Sequence, residues 1–286
     1  MGTSIYHKLR VLFILCFATG FSSSIVVQSL KQYIMKSYFE KYECLIDSNF
    51  QHFIAHQLPY ALCEVVVPNA VRFSVLKRRL IGEGSHRHLS SSIGFHIKPE
   101  FPFHFCEVVI VERLPSGVFA DPFELQHLHR RGVFGDIAVF GDTNLELPSF
   151  LSNRSAVEIH IDVVGSNVVL RDENELEINI ELPLHARYLP LDDSGYSTVE
   201  FGDPDLFMRC NIEATLTNQV CLFTPTRDRA ESKAGTIMWK IPSGKKAHSG
   251  VVFIVTFISA ISTTLLIVLA SLFCSDIDIR KDLKKS

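Results

Sequence analysis

Residues 250–274 contain no charged side chain. As a helix, about 25 residues at 1.5 Å each reach roughly 37 Å, more than the ~30 Å of a bilayer's hydrocarbon core. A soluble domain of this size has no use for a helix that is apolar on every face. The stretch therefore predicts a membrane-spanning helix with some tilt or interfacial overhang. Most of the folded mass must lie before it, and residues 275–286 form a short tail beyond it.

A second apolar block sits near the N-terminus. His7, Lys8 and Arg10 precede a short uncharged run that begins at Val11. A basic segment, a short apolar segment and then small residues (Ala18, Gly20, Ser22, Ser23, Ser24) predict a secretory signal peptide over residues 1–24. A signal followed by one stop-transfer helix gives a type I orientation, with residues 25–249 in the lumen. Lys240, Lys245 and Lys246 lie before the helix and Arg280, Lys281, Lys284 and Lys285 after it, so loop charge adds little to this assignment. The net charge of −3 offers no basic excess for nucleic acid.

Of the seven cysteines, Cys16 belongs to the signal and Cys274 to the membrane edge. Cys44, Cys63, Cys106, Cys210 and Cys221 remain in a compartment that permits disulfides. Cys210 with Cys221, and Cys44 with Cys63, could each close a short loop, but spacing does not decide the pairing. Asn153-Arg154-Ser155 is a glycosylation sequon, with Asn153 as the expected acceptor.

The lumenal part reads as mainly β: an antiparallel, sandwich-like domain with a short helix. Residues 29–46 look helical, with Leu30, Ile34, Met35, Tyr38, Tyr42 and Leu45 at three- and four-residue steps. Strands are expected where Leu89, Ser91, Ile93, Phe95 and Ile97 alternate with other residues, and where Val157, Ile159, Ile161 and Val163 alternate with Glu158, His160 and Asp162. The dense run over residues 105–111 predicts a central strand. In the clearest pattern, Leu176, Ile178, Ile180, Leu182, Leu184, Ala186 and Tyr188 share one face, and Glu177, Asn179, Glu181, His185 and Arg187 the other. Pro183 interrupts it, which implies two strands or one edge strand with a bend. Shorter strands are expected near residues 197–201, 206–210 and 236–241. Asp121-Pro122-Phe123-Glu124 supplies an N-cap, a proline at the first turn and Glu at N3, and Gly132 a stop. A helix is expected over residues 122–131.

Enzymatic motifs are weak. Asp276-Ile277-Asp278 lies on the tail, where no pocket is expected, and Asp203-Pro204-Asp205 reads as a turn. His86, His88, His127 and His129 form a histidine-rich set, but no Cys, Asp or Glu falls at a supporting ligand spacing. Neither metal nor cofactor is expected, and no catalytic residue can be assigned. In the membrane helix, Thr256, Ser259, Ala260, Thr263 and Thr264 line one side. They offer close approach to another helix or simply bond back to their own. Lys284 stands third from the end without the usual partner lysine, a weak retrieval signal.

Three segments carry a family resemblance. They are residues 112–125 (Glu-Arg-Leu-Pro-Ser-Gly-Val-Phe-Ala-Asp-Pro-Phe-Glu-Leu), residues 182–188 (Leu-Pro-Leu-His-Ala-Arg-Tyr) followed by Tyr196, and residues 79–87 (Arg-Leu-Ile-Gly-Glu-Gly-Ser-His-Arg). Together with the C-terminal helix they resemble the PIG-X family over residues 75–274. The resemblance implies an accessory subunit of GPI-mannosyltransferase I in the endoplasmic reticulum. Such a subunit stabilises the multi-spanning catalytic partner PIG-M, which transfers the first mannose, and is not itself an enzyme. Pro115, Gly117, Phe119, Asp121, Phe123, His185, Arg187 and Tyr188 are then candidate partner contacts, and Thr256, Ser259, Ala260 and Thr263 candidate helix contacts. A type I receptor or adhesion module with a β-sandwich ectodomain is the alternative reading.

Overall fold

The computed structural model describes residues 33–58, 71–98, 106–163, 168–172, 175–214, 217–227 and 236–283. The expected signal peptide and Cys63 lie outside them. Among the described residues, thirteen strands form two large sheets and a ribbon. One sheet runs in the order β11 (Thr217–Phe223), β10 (Asp205–Ala214), β3 (Cys106–Arg113), β6 (Ser155–Asp162), β5 (Asp136–Gly141). The other runs β12 (Thr226–Arg227), β1 (Val71–Ile81), β2 (His86–Ile97), β8 (Glu175–Ala186), β4 (Val118–Phe119), with β7 (Val168–Asp172) also on β8. The ribbon pairs β9 (Tyr196–Phe201) with β13 (Ile237–Pro242). All pairings are antiparallel except β12 with β1.

One hydrophobic cluster fills the space between the two sheets. Phe95, Ile93 and Leu89 of β2 and Ile178 and Leu182 of β8 meet Val108 and Ile110 of β3 and Val157, Ile159 and Ile161 of β6. A second cluster lies on the far face of the first sheet, where Val109, Val111, Ala156, Phe207 and Leu222 are covered by two helices, α1 (Ile34–Phe39) and α2 (Asp47–His56). Strand β3 is therefore buried on both faces, which explains its unbroken apolar run. On β6 the odd positions face the inter-sheet core. Glu158 and His160, expected on a polar face, are fully buried beneath α1.

Glu158 repays that burial locally. Its carboxylate accepts the backbone N–H groups of Ile34 and Met35 at 3.0 and 2.8 Å, so it caps α1 from 124 residues away. His160 Nε2 lies 3.0 Å from Glu158, and Arg209 pairs with Glu107 on the same face. Of the helix expected over residues 29–46, Ile34–Phe39 is helical and a return follows, with residues 29–32 outside the described part; a second helix begins at Asp47. The Tyr38 hydroxyl donates to the Cys44 carbonyl at 2.9 Å and accepts from the Ile46 N–H at 3.3 Å, closing the return. Helices of six and ten residues are too short to persist alone. Buried Ile34, Met35, Tyr38, Phe50 and Phe53 hold them, at about 1.5–3 kcal/mol for each large apolar side chain.

Strand β1 changes phase at a register shift between Phe73 and Val75. Val71 and Phe73 face the core before it, and Leu76 and half-buried Leu80 after it. Arg78 then falls on the inward phase, with its side chain 2% exposed. It meets Glu112 of β3 at 2.5 Å, an ion pair between the two sheets. Burial raises the Glu112 carboxyl to about 6, against the opposing pull of Arg78.

Strand β8 is continuous through Pro183. Among the described residues, β7 covers its outer side at residues 175–178 and β4 at residues 185–186, which leaves Pro183 at an edge gap where no donor is needed. Cys106 and Cys210 are opposed in the β3–β10 register and form a disulfide across 104 residues. The short Cys210–Cys221 and Cys44–Cys63 loops are thereby corrected: Cys210 is taken, and Cys44 is a free, exposed thiol.

After a 3-10 turn (Lys246–His248), helix α4 (Ser249–Leu283) begins. Residues 246–273 are long and apolar enough to cross a membrane, with a mean hydropathy of 2.6 over their most apolar 18-residue stretch. The helix does not stop at residue 274 but continues to Leu283, through Asp276-Ile277-Asp278.

Candidate functional site

The three motif segments converge on one end of the second sheet. In residues 79–87, Gly82 and Gly84 adopt φ of +99° and +70°, the left-handed turn that joins β1 to β2. This turn places His86 opposite His185 in the β2–β8 register. The Ser85 carbonyl accepts from the Ala186 N–H at 2.7 Å. In residues 112–125, Gly117 (φ +87°) turns the chain so that Val118 and Phe119 pair with Ala186 and His185. A Cβ at Gly117 would stand 2.6 Å from Leu189. The Asp121 carboxylate then accepts the Phe123 N–H at 2.8 Å and starts α3 (Pro122–Arg130). Glu124, in the first turn, faces back toward β8.

His185 is the hub. Its Nε2 lies 2.9 Å from Glu124 Oε2, and its ring stacks on His86 at 4.4 Å and on Phe119 at 5.3 Å. His86 Nε2 lies 3.7 Å from Glu124 Oε1. Arg187 and Tyr188 reverse the alternation expected of them, because the strand ends at Ala186. Arg187 is buried, and its guanidinium donates to the carbonyls of Asn144 (2.5 Å), Leu147 (3.1 Å) and Asp142 (3.3 Å) while lying over the Phe119 ring. Burial lowers its pKa, although Asp142 opposes the shift. Tyr188 is 83% exposed and Phe123 76%. Val118 and Gly117 are buried, and Pro115, Phe119 and Asp121 are half-buried.

This end also adjoins the entry to α4. Asp192 donates its N–H to the Gly244 carbonyl (3.3 Å) and accepts from the Lys246 N–H (3.2 Å). Trp239 of β13, fully buried, donates to the Gly84 carbonyl at 3.2 Å, with Arg87 over its ring. Asp192, four residues beyond Tyr188, thus bonds to the approach to the helix, and Trp239, ten residues before the helix, bonds to the motif turn at Gly84.

Other candidates stand apart. Asp205 of Asp203-Pro204-Asp205 is engaged by Arg113 (2.7 Å) and Gln51 (3.3 Å). Burial raises its pKa against the pull of Arg113. His127 is exposed, and His129 Nδ1 meets the Phe134 carbonyl at 3.3 Å. Asn153 is exposed at the edge of β6. In α4 the Thr263 hydroxyl donates to the carbonyls of Ser259 and Ala260 at 2.9 and 3.0 Å. On this side the small residues offer shape, with the Thr263 hydroxyl turned to its own backbone. Sequence reasoning placed His86 and His185 in motifs but missed Glu124 as their partner. The carboxylate arrives from 38 residues beyond His86, at a spacing no local pattern registers.

A family model described as PIG-X / PBN1 matches residues 82–272. The chain belongs to this family. The match begins at the glycine turn before His86 and ends within α4, so it includes His86, Glu124 and His185. A PIG-X / PBN1 relative from Homo sapiens, named GPI alpha-1,4-mannosyltransferase I, stabilizing subunit, is 26% identical over 214 residues, covering 68% of this chain and 79% of that protein. The Mus musculus protein of the same name is 27% identical over 214 residues, covering 68% and 80%. Protein pbn1 of Emericella nidulans is 31% identical over 120 residues, covering 40% of this chain and 22% of that protein.

Proposed function

We propose that this chain is a non-catalytic subunit in GPI-anchor biosynthesis: a type I protein of the endoplasmic reticulum membrane that holds a multi-spanning, PIG-M-like mannosyltransferase in a stable form. The observation that carries this reading is positional. The three motif segments meet at the end of the domain that is hydrogen-bonded to Gly244 and Lys246, where the chain enters α4. A surface there faces whatever lies beside the helix in the membrane. Exposed Tyr188 and Phe123 supply aromatic contact area, and Arg187 holds the loop behind Tyr188 rigid. The names of the PIG-X / PBN1 relatives supply the pathway. The role asks for no chemistry of this chain: a partner that binds only the folded catalytic subunit stabilises it by mass action.

The test is deletion of the gene in cells that display GPI-anchored proteins. The catalytic mannosyltransferase and surface GPI-anchored proteins should both fall, and restored expression of the full chain should return both. Unchanged surface levels would sink the reading. In gentle detergent, one multi-spanning glycosyltransferase should co-purify.

A further inference from the structure

We propose that His86, Glu124 and His185 form a divalent-cation site of the class that takes Zn²⁺. One ring nitrogen from each histidine and one Glu124 carboxylate oxygen lie within 4.8 Å of one another. Each histidine addresses a different carboxylate oxygen, at 2.9 and 3.7 Å. Two ligand atoms on a tetrahedral zinc with bonds near ~2.0–2.1 Å are separated by about 3.3 Å. Those two spacings lie on either side of that value, and the three ligand atoms all fall within 4.8 Å, so closure on an ion requires the stacked His86 and His185 rings to rotate until their nitrogens point at one centre. Two imidazoles and one carboxylate are a zinc donor set that leaves a fourth position for water or another ligand. Side-chain exposures of 47%, 32% and 30% for His86, Glu124 and His185 give an ion a way in.

The donors sit on a pre-built frame. Backbone pairing opposes His86 and His185, the Asp121 cap sets the turn of α3 that carries Glu124, and Phe119 packs on the His185 ring with Arg187 behind it. The competing arrangement is the two histidines held by hydrogen bonds and ring stacking against Glu124, with no metal. Both arrangements satisfy the same atoms, but only one binds an ion stoichiometrically. The consequence of the metal would be a cross-link between β2, α3 and β8, the elements that carry the three motif segments. This inference does not depend on the identity of the membrane partner, and its readout is metal content.

The experiment uses the full chain, purified in detergent without a histidine tag, stripped with chelator and re-equilibrated with Zn²⁺ alone. Expected are about one zinc per chain after removal of free metal, and an apparent Tm raised on the order of 5 °C at zinc well above Kd. Glu124→Gln and His185→Gln should lose the zinc and the shift, while His127→Gln, on an exposed face of α3, should keep both. A non-reducing gel showing the Cys106–Cys210 disulfide reports that each variant has folded. Wild-type protein with no bound zinc and no Tm shift would overturn the proposal. So would zinc retained in equal amount by folded Glu124→Gln and His185→Gln, which would mark adventitious binding. The wild-type measurement needs no variant, so a misfolded substitution does not remove the test.

Discussion

The two large sheets share a core but differ in what covers their other faces. The sheet built on β3 is packed on the inter-sheet side and again under α1 and α2. The sheet built on β2 and β8 buries one face and leaves the other wet, with Ser92 and Glu177 bonded across it. The doubly covered sheet carries charges that must be satisfied internally: Glu158, His160, Glu107 and Arg209. The open sheet carries the motif segments at its end. The internally satisfied charges lie on the first and the proposed contact surface on the second, so substitutions should separate the two.

The largest loss is expected where the covered sheet is bolted. Cys106→Ala frees a loop of about 100 residues and should remove about 4–5 kcal/mol, read by denaturant unfolding. Next comes the bolt between sheets. Arg78→Met leaves Glu112 as an uncompensated buried charge and should cost about 3–5 kcal/mol. Equal stability of this variant and wild type would show that the sheets do not depend on the pair.

Acidity distinguishes the sheets less sharply but with a fixed sign. Burial pulls the His160 pKa down, but Glu107 and Glu158 together raise it above its ordinary 6.5. The folded chain then holds the proton more tightly than the unfolded one. Its contribution is complete below 6.5 and is lost as pH rises through the folded value. Glu112, raised to about 6 from 4.5, has the same sign: its contribution is present below 4.5 and lost by about pH 6. Melting temperature across this range should fall with rising pH, and His160→Gln should flatten the upper part. A slope that His160→Gln leaves unchanged would assign the upper part to other groups. The smallest effect is on the open sheet. Tyr188→Ala should change stability by no more than about 0.5 kcal/mol yet reduce co-purification of the proposed mannosyltransferase partner.

Alternation made β2, β6 and β8 readable, because each has one continuous phase; α3 was readable from its cap and stop residues, and the C-terminal helix from its uncharged length. Strand β1 was not readable: its bulge moves the inward set from Val71 and Phe73 to Leu76 and Leu80, and charged Arg78 takes an inward position. Glu158 and His160 looked like a wet face because nothing local announces that a helix 124 residues earlier will cover them. Paired Cys106 and Cys210, and the meeting of His86, Glu124 and His185, depend on sheet registers. Alternation shows which face a residue takes, but not which strand lies opposite.

The capping of α1 by Glu158 has a consequence in time. Ile34, Met35, Tyr38, Phe50 and Phe53 are made early, but their docking surface includes Glu158, Phe207 and Leu222. At about 5–20 residues per second, that surface is complete roughly 10–40 s after α1 is synthesised. For that interval the apolar face of α1 and α2 lacks part of its native cover, Val109, Val111 and Ala156 being made before Phe207 and Leu222. A nascent chain arrested before Phe207 would leave more of that face open to chaperones than one extended through Phe223.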